Sequence, residues 1–412
     1  MKRALLLCAA LALPAPAFAQ DSAVPPPEAQ VRFPQLETEI DMGLIGVGTT
    51  RATDPRRRGT SVFLFGDIDF GLHLTENFSI QLGLATEPIG EGDSTGGFPD
   101  GGVIGFRRQA LFIEQFHADW KPVEDLTLSA GTFVAPFGRG YMDFPGILIP
   151  VRAHEAYLFN QLLGASAAWT WLDDVRFGQH EVTGMVYTLD RSFLSSTLIT
   201  RPSCCDPRYE RYNRNTAAQG GPGNNGTFDN FALAFDGDRM PWLPGFSYHL
   251  ALLSQAPGSD GTAREWGYAV SLRYRHEWNR EQSTLLFAEG VQFRNAGGRP
   301  RIDVPTGTSD PDTGVSDSIA TTLAERETFF TLGIQHRIGP WRGSVAWQQW
   351  QRKRSVDPVP NENWIEVSLG REIGSGFSID VGYQYARQFI DEGPERGTSH
   401  AILARLGYRG GL

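Results

Sequence analysis

From residue 36 onward the chain repeats one unit. A run of roughly 10 to 16 residues alternates in polarity, then meets a connection that is short and long by turns. The pattern is plainest late in the sequence, where Phe377, Ile379, Val381, Tyr383 and Tyr385 alternate with Ser378, Asp380, Gly382, Gln384 and Ala386. Successive side chains of a strand point to opposite faces, so such a run has one apolar face and one small or polar face. A soluble barrel hides its apolar face inside. A transmembrane barrel turns that face to lipid and keeps the polar one for its lumen.

The candidate strands are 36–48, 60–74, 77–86, 107–120, 125–134, 164–173, 179–190, 227–237, 245–255, 264–279, 281–294, 325–338, 341–352, 362–373, 376–391 and 398–409. That is an up-and-down antiparallel β-barrel of about 16 strands, with a range of about 14–18 set by the ambiguous middle. Thr75-Glu76, Lys121 to Glu124, Asn279-Arg280, Gly339-Pro340 and Gly374-Ser375 make short turns. Between them fall 49–59, 87–106, 135–163, 191–226, 295–324 and 353–361. A β-sandwich has no reason to gather its long loops at one end, whereas bacterial outer-membrane barrels have short periplasmic turns and long outer loops.

The amino terminus agrees with that address. Lys2 and Arg3, an apolar run from Ala4 to Leu13 and Ala17-Phe18-Ala19 read as a signal peptide over 1–19. A Pro-rich leader over 20–35 follows, and 36–412 is the barrel domain. No later stretch offers 18 consecutive apolar residues, which excludes a spanning helix. The chain carries 37 basic and 47 acidic residues, an acidic balance that gives no support to nucleic-acid binding. Cys204 and Cys205, between Pro202 and Pro207, read as a local loop feature, with no metal-ligand spacing around them.

Tryptophans mark the strand ends: Trp120, Trp171, Trp278 and Trp341 by short turns, Trp266, Trp350 and Trp364 by long loops. They suggest two interfacial girdles. Parity then sorts the faces. Tyr268, Val270, Leu272 and Tyr274 face lipid, leaving Ser271, Arg273, Arg275 and Glu277 inward; Arg337, Arg342, Gln348, Glu366 and Gln384 follow the same rule, as do Asp67, Asp69 and His73. An arginine on the lipid face at mid-membrane costs about 2–4 kcal/mol, so Arg273, Arg275, Arg337 and Arg342 are expected on the lumen wall. Glu114 and Glu289 fit neither register cleanly.

The third long loop, 135–163, is too apolar to hang in water: Phe144, Ile147, Leu148, Ile149 and Leu158 need burial. Folded into the barrel, it would place Arg139, Asp143, Arg152 and Glu155 at a constriction, where charge sets ion selectivity. The alternative is an outer cap over neighbouring loops.

The run Leu128-Ser129-Ala130-Gly131-Thr132-Phe133-Val134-Ala135-Pro136-Phe137-Gly138 resembles the G-x-F-x-x-P-F-G passage of the phosphate-selective porin O/P family. The preceding Phe106-Arg107-Arg108-Gln109-Ala110 through Trp120 is similar to that family's arginine-led strand. The resemblance covers about 50 residues. It implies a sixteen-stranded, usually trimeric porin with an inward-folded third loop and an arginine-lined path that favours anions. Lysines help form the family's anion site, and after signal removal only Lys121 and Lys353 remain here.

The function expected is passive diffusion of small hydrophilic solutes or ions, with anions preferred, across the outer membrane of a Gram-negative cell. The partners expected are outer-membrane lipid, lipopolysaccharide and the permeant solutes, with a homotrimer as the assembly and no cofactor or metal. The rivals are a closed structural or adhesive barrel and an outer-membrane enzyme. No G-x-S-x-G run, phosphate loop, zinc pattern or dinucleotide fingerprint supports the enzyme.

Overall fold

The computed structural model describes residues 32–88, 102–106, 109–199, 215–299, 304–309, 316–319, 325–354, 359–390 and 393–411. The signal peptide, the leader up to residue 31, and Cys204-Cys205 lie outside the described residues. Pro34–Leu412 forms one unit.

Sixteen strands make its wall: β1 (Gln35–Ala52), β2 (Gly59–Thr75), β3 (Phe78–Pro88), β4 (Gln109–Val123), β5 (Leu126–Phe133), β6 (Leu162–Asp174), β7 (Gly178–Leu189) and β8 (Asn230–Asp238) in the first half. The second half holds β9 (Phe246–Gln255), β10 (Glu265–Asn279), β11 (Gln282–Arg294), β12 (Arg326–Ile338), β13 (Trp341–Lys353), β14 (Glu362–Gly374), β15 (Phe377–Ile390) and β16 (Gly393–Gly411). Each strand pairs antiparallel with the next, and β16 returns to β1 through pairs such as Gly43↔Gly407 and Val47↔Leu403. The sheet is therefore a closed antiparallel barrel, which leaves the wall no unpaired edge. Two short strands, Gly102–Gly105 beside β2 and Thr197–Ile199 beside β4, thicken the long-loop end.

The alternation in the sequence becomes two faces. Leu332, Ile334, Val345, Val367, Leu369, Ile379, Val381, Ile402 and Leu406 stand exposed on the outside, while Ser271, Thr331, Gln348, Glu366 and Gln384 are buried within. A soluble protein would do the reverse, so the outer band is a lipid-facing belt. Trp120, Trp169, Trp171, Trp242, Trp278 and Trp341 lie exposed at the short-turn end, as amphipathic rings do at a membrane interface.

The long-loop end departs from the girdle expectation. Trp266 keeps the outward parity of β10 and packs edge-on to Phe231, but Trp350 and Trp364 take the inward parity of Ala346 and Glu366. Trp350 stacks on Phe329 at 5.5 Å between centroids, and Trp364 is 2% exposed. Both serve the interior. The loop asymmetry also fades at the closing seam, since 53–58 and 391–392 are short although they lie on the long-loop side.

The two awkward glutamates now have physical reasons. On β4 the pairing jumps from Gly83↔Gln115 to Leu84↔Ile113, so Glu114 is the extra residue of a β-bulge and inverts the parity beyond it. On β11 the inward face is Leu285, Phe287, Val291 and Phe293, apolar because a loop packs against it, and Glu289 sits in that row.

Candidate functional site

The segment between β5 and β6 supplies what covers that apolar inner face. It holds two short helices, α1 (Gly140–Asp143) and α2 (Ile149–Tyr157), the second with Pro150 in its first turn, where a missing N–H costs nothing. Two glycines of the G-x-F-x-x-P-F-G run set its path. Gly131 has φ +142, and a Cβ there would lie 2.4 Å from the Phe116 carbonyl; Gly138 has φ +74, with the Tyr157 ring 2.9 Å from such a Cβ.

Apolar side chains along the segment anchor it to opposite sides of the barrel. Phe137, Ala153 and Tyr157 join a cluster with Phe133, Met185, Leu253, Val291, Phe293 and Phe329. Phe144 and Ile149 pack on Phe287, Ala346, Trp364 and Ala386. Ile147, Leu148 and Val151 pack on Ile45, Val47, Phe63, Ala401 and Leu403, across the closing seam. Contacts to β1, β2, β11 and β14 at once require the segment to run through the interior.

Two wall carboxylates pin its backbone. Glu289 accepts from the N–H of Arg139 at 2.6 Å and of Gly140 at 2.9 Å, and from the hydroxyls of Tyr157 and Ser271. Glu366 accepts from the N–H of Ile147 and, at 2.9 Å, of Leu148. A buried carboxylate is tolerable only when its lone pairs are met in this way. Alternation placed Glu366 inward but not as a pin, and left Glu289 unplaced. The available signal was a lone acid in an otherwise apolar inner row.

The charges expected at the constriction are distributed as follows. Arg139 donates to Asp143 at 2.9 Å and to Asp236 of β8 at 3.1 Å, so Arg139, just before α1, and Asp143, at its end, are bonded neighbours. Burial pulls the Arg139 pKa down, but Asp143 and Asp236 outweigh it and leave it raised. Arg152, on α2, lies 4.3 Å from the Trp364 ring centroid as a cation–π pair. Glu155 is half-buried on the same helix. Of the wall arginines, Arg273 lies 3.7 Å from Asp143, Arg275 4.0 Å from Glu277, Arg337 2.8 Å from Glu372 and Arg342 2.7 Å from Asp380. Each carries an acidic partner.

His154, absent from the expected set, lies on α2 between Phe65 and Tyr141. Its Nδ1 is 3.4 Å from Glu87 and its Nε2 3.7 Å from Glu114. Burial pulls its pKa down, yet the facing carboxylates of Glu114 and Glu87, with the charge of Asp67, raise it to about 9. It is therefore cationic at neutral pH.

Among solved structures the chain is similar to an OmpF of Salmonella typhi in complex with daunomycin. That match has TM-score 0.53 and 10% identity, covering 91% of this chain and 97% of that one. It is also similar to the outer membrane channel DcaP of Acinetobacter baumannii, with TM-score 0.51 and 9% identity over 90% and 97% of the two chains. These likenesses show the fold. No family model matches the sequence, and no curated protein does.

Proposed function

We propose that the chain is a passive diffusion channel of the Gram-negative outer membrane, through which small hydrophilic solutes or ions cross a polar lumen narrowed by 134–161. The observation that carries this reading is the combination of an apolar belt outside, polar side chains inside and a pinned segment between them. Arg139, Asp143, Arg152 and Glu155 lie on that segment and would shape the constriction, and Arg273, Arg275, Arg337 and Arg342 would line the wall. No covalent step is involved, so the site holds charges and not catalysts. The family resemblance implies a homotrimer, which this reading takes up, and an anion preference, which it does not. The pairing of each wall arginine with an acid leaves little excess positive charge to support that preference. Lipopolysaccharide would surround the long-loop end.

A second reading, a closed structural barrel, draws on the apolar contacts that 134–161 makes on opposite walls. Liposome swelling in neutral sugars of increasing size separates the two. Swelling that falls off with sugar size supports the channel. Liposomes that hold folded protein and do not swell support the closed barrel.

A further inference from the structure

The inner charges do not balance everywhere. Arg139, Arg273, Arg275, Arg337 and Arg342 each have an acidic partner, and Arg405 and Arg409 share Asp41. On β1–β4 the situation reverses. The ladder sets Glu39 opposite Asp69 and Asp41 opposite Asp67, two like-charge pairs on the inner face. Like charges placed directly across a ladder destabilise it; Arg405 and Arg409 offset Asp41, but among the described residues Glu39 and Asp69 face each other with no arginine or lysine between them. The bulge adds Glu114 to the same side. Among the described residues no arginine or lysine forms an ion pair with Glu39, Asp67, Asp69 or Glu114. Gly83 keeps room for Asp69 and for Gln115, which donates to it, since a Cβ there would lie 2.8 Å from Asp69 Oδ1 and 2.7 Å from Gln115 Cγ.

A second observation points the same way. His154 reaches this strip with a side chain only 10% exposed, and its Nδ1 makes no hydrogen bond although it faces Glu87. A single histidine stands among Glu39, Asp67, Asp69, Glu87 and Glu114, so acidic groups outnumber basic ones along the strip, and a cation is what such a surface would attract.

Resting on the channel reading above, we propose that this strip makes the passage cation-selective, with Asp67, Asp69 and Glu114, and Glu39 beside Asp69, favouring small hydrophilic cations over anions. The strip acts through its field, so its influence should fade with salt: the screening length is about 10 Å at 0.1 M and about 3 Å at 1 M.

The test is the reversal potential of the refolded mature chain in a planar bilayer across a KCl gradient. Wild type and the triple variant Asp67→Asn, Asp69→Asn, Glu114→Gln would be compared, with Asp69→Asn alone as a near-isosteric variant should the triple one not fold. The result expected is a potential of cation-selective sign in wild type, a several-fold drop in the K⁺ over Cl⁻ preference in the triple variant, a smaller drop in the single one, and a weaker preference at high salt. An anion-selective or zero potential in wild type overturns the inference while leaving the channel reading intact, as does an unchanged preference in a folded variant. Inserted barrels that pass no current overturn the channel reading itself, and this inference with it.

Discussion

Replacing Glu366 by leucine asks whether the interior segment is held where the packing places it. Two buried N–H groups, of Ile147 and Leu148, lose their acceptor. Hydrogen bonds to a charged group contribute about 1.5–3 kcal/mol each, so about 3–6 kcal/mol is at stake. Part returns, because the variant no longer buries a carboxylate. A net loss of about 2–4 kcal/mol would raise the population of the released segment about 30- to 1000-fold. Complete release is still opposed by Phe144, Ile147, Leu148 and Ile149, each contributing about 1.5–3 kcal/mol of apolar burial. The expectation is therefore a loosened constriction and not an absent one. Single-channel recordings should show added current noise and brief larger steps, with the barrel's thermal transition little changed because the wall ladder is untouched. Glu366→Gln, which keeps one acceptor oxygen, should fall between. A folded Glu366→Leu barrel with the conductance and noise of wild type would show that Glu366 does not hold the segment, or that the segment does not border the path.

Three further outcomes follow from the same geometry. His154 has its pKa raised to about 9 from an ordinary 6.5, so its contacts with Glu87 and Glu114 support the segment fully below about pH 6.5. That support is lost as pH rises through about 9. Channel noise should increase over that window in wild type and stay flat in His154→Phe; a flat wild-type profile contradicts the assignment. Brominated lipid should quench Trp120, Trp278 and Trp341 but spare Trp350 and Trp364, as read from single-tryptophan variants; equal quenching would place the last two outside. Leu332→Arg, on the lipid face, should cost about 2–4 kcal/mol in denaturant unfolding, whereas the neighbouring inward Gln335→Arg should cost much less. Equal losses would mean the parity is wrong.

Strand number, order and facing were legible because a wall exposed to lipid outside must keep a strict period of two. Lys121 to Glu124, Gly339-Pro340 and the other short turns then fixed the alternation of long and short ends. Parity failed where a local event reset it: the bulge at Glu114 shifts the frame by one residue, and no alternation count anticipates an inserted residue. It also failed to distinguish Trp350 and Trp364, because an interior that receives a loop accepts aromatics as readily as an interface does. The apolar character of Phe144 to Ile149 was visible, but not its partners on β1, β14 and β16, which are contacts made across the barrel. Glu289 and His154 escaped for the same reason, since their roles exist only once the segment lies against the wall.

The most direct test of the account is single-channel recording from the folded wild-type barrel in a planar bilayer. The account predicts steady, stepwise insertion currents that are ohmic at low voltage. Barrels shown to be folded and inserted, yet carrying no current, would contradict it.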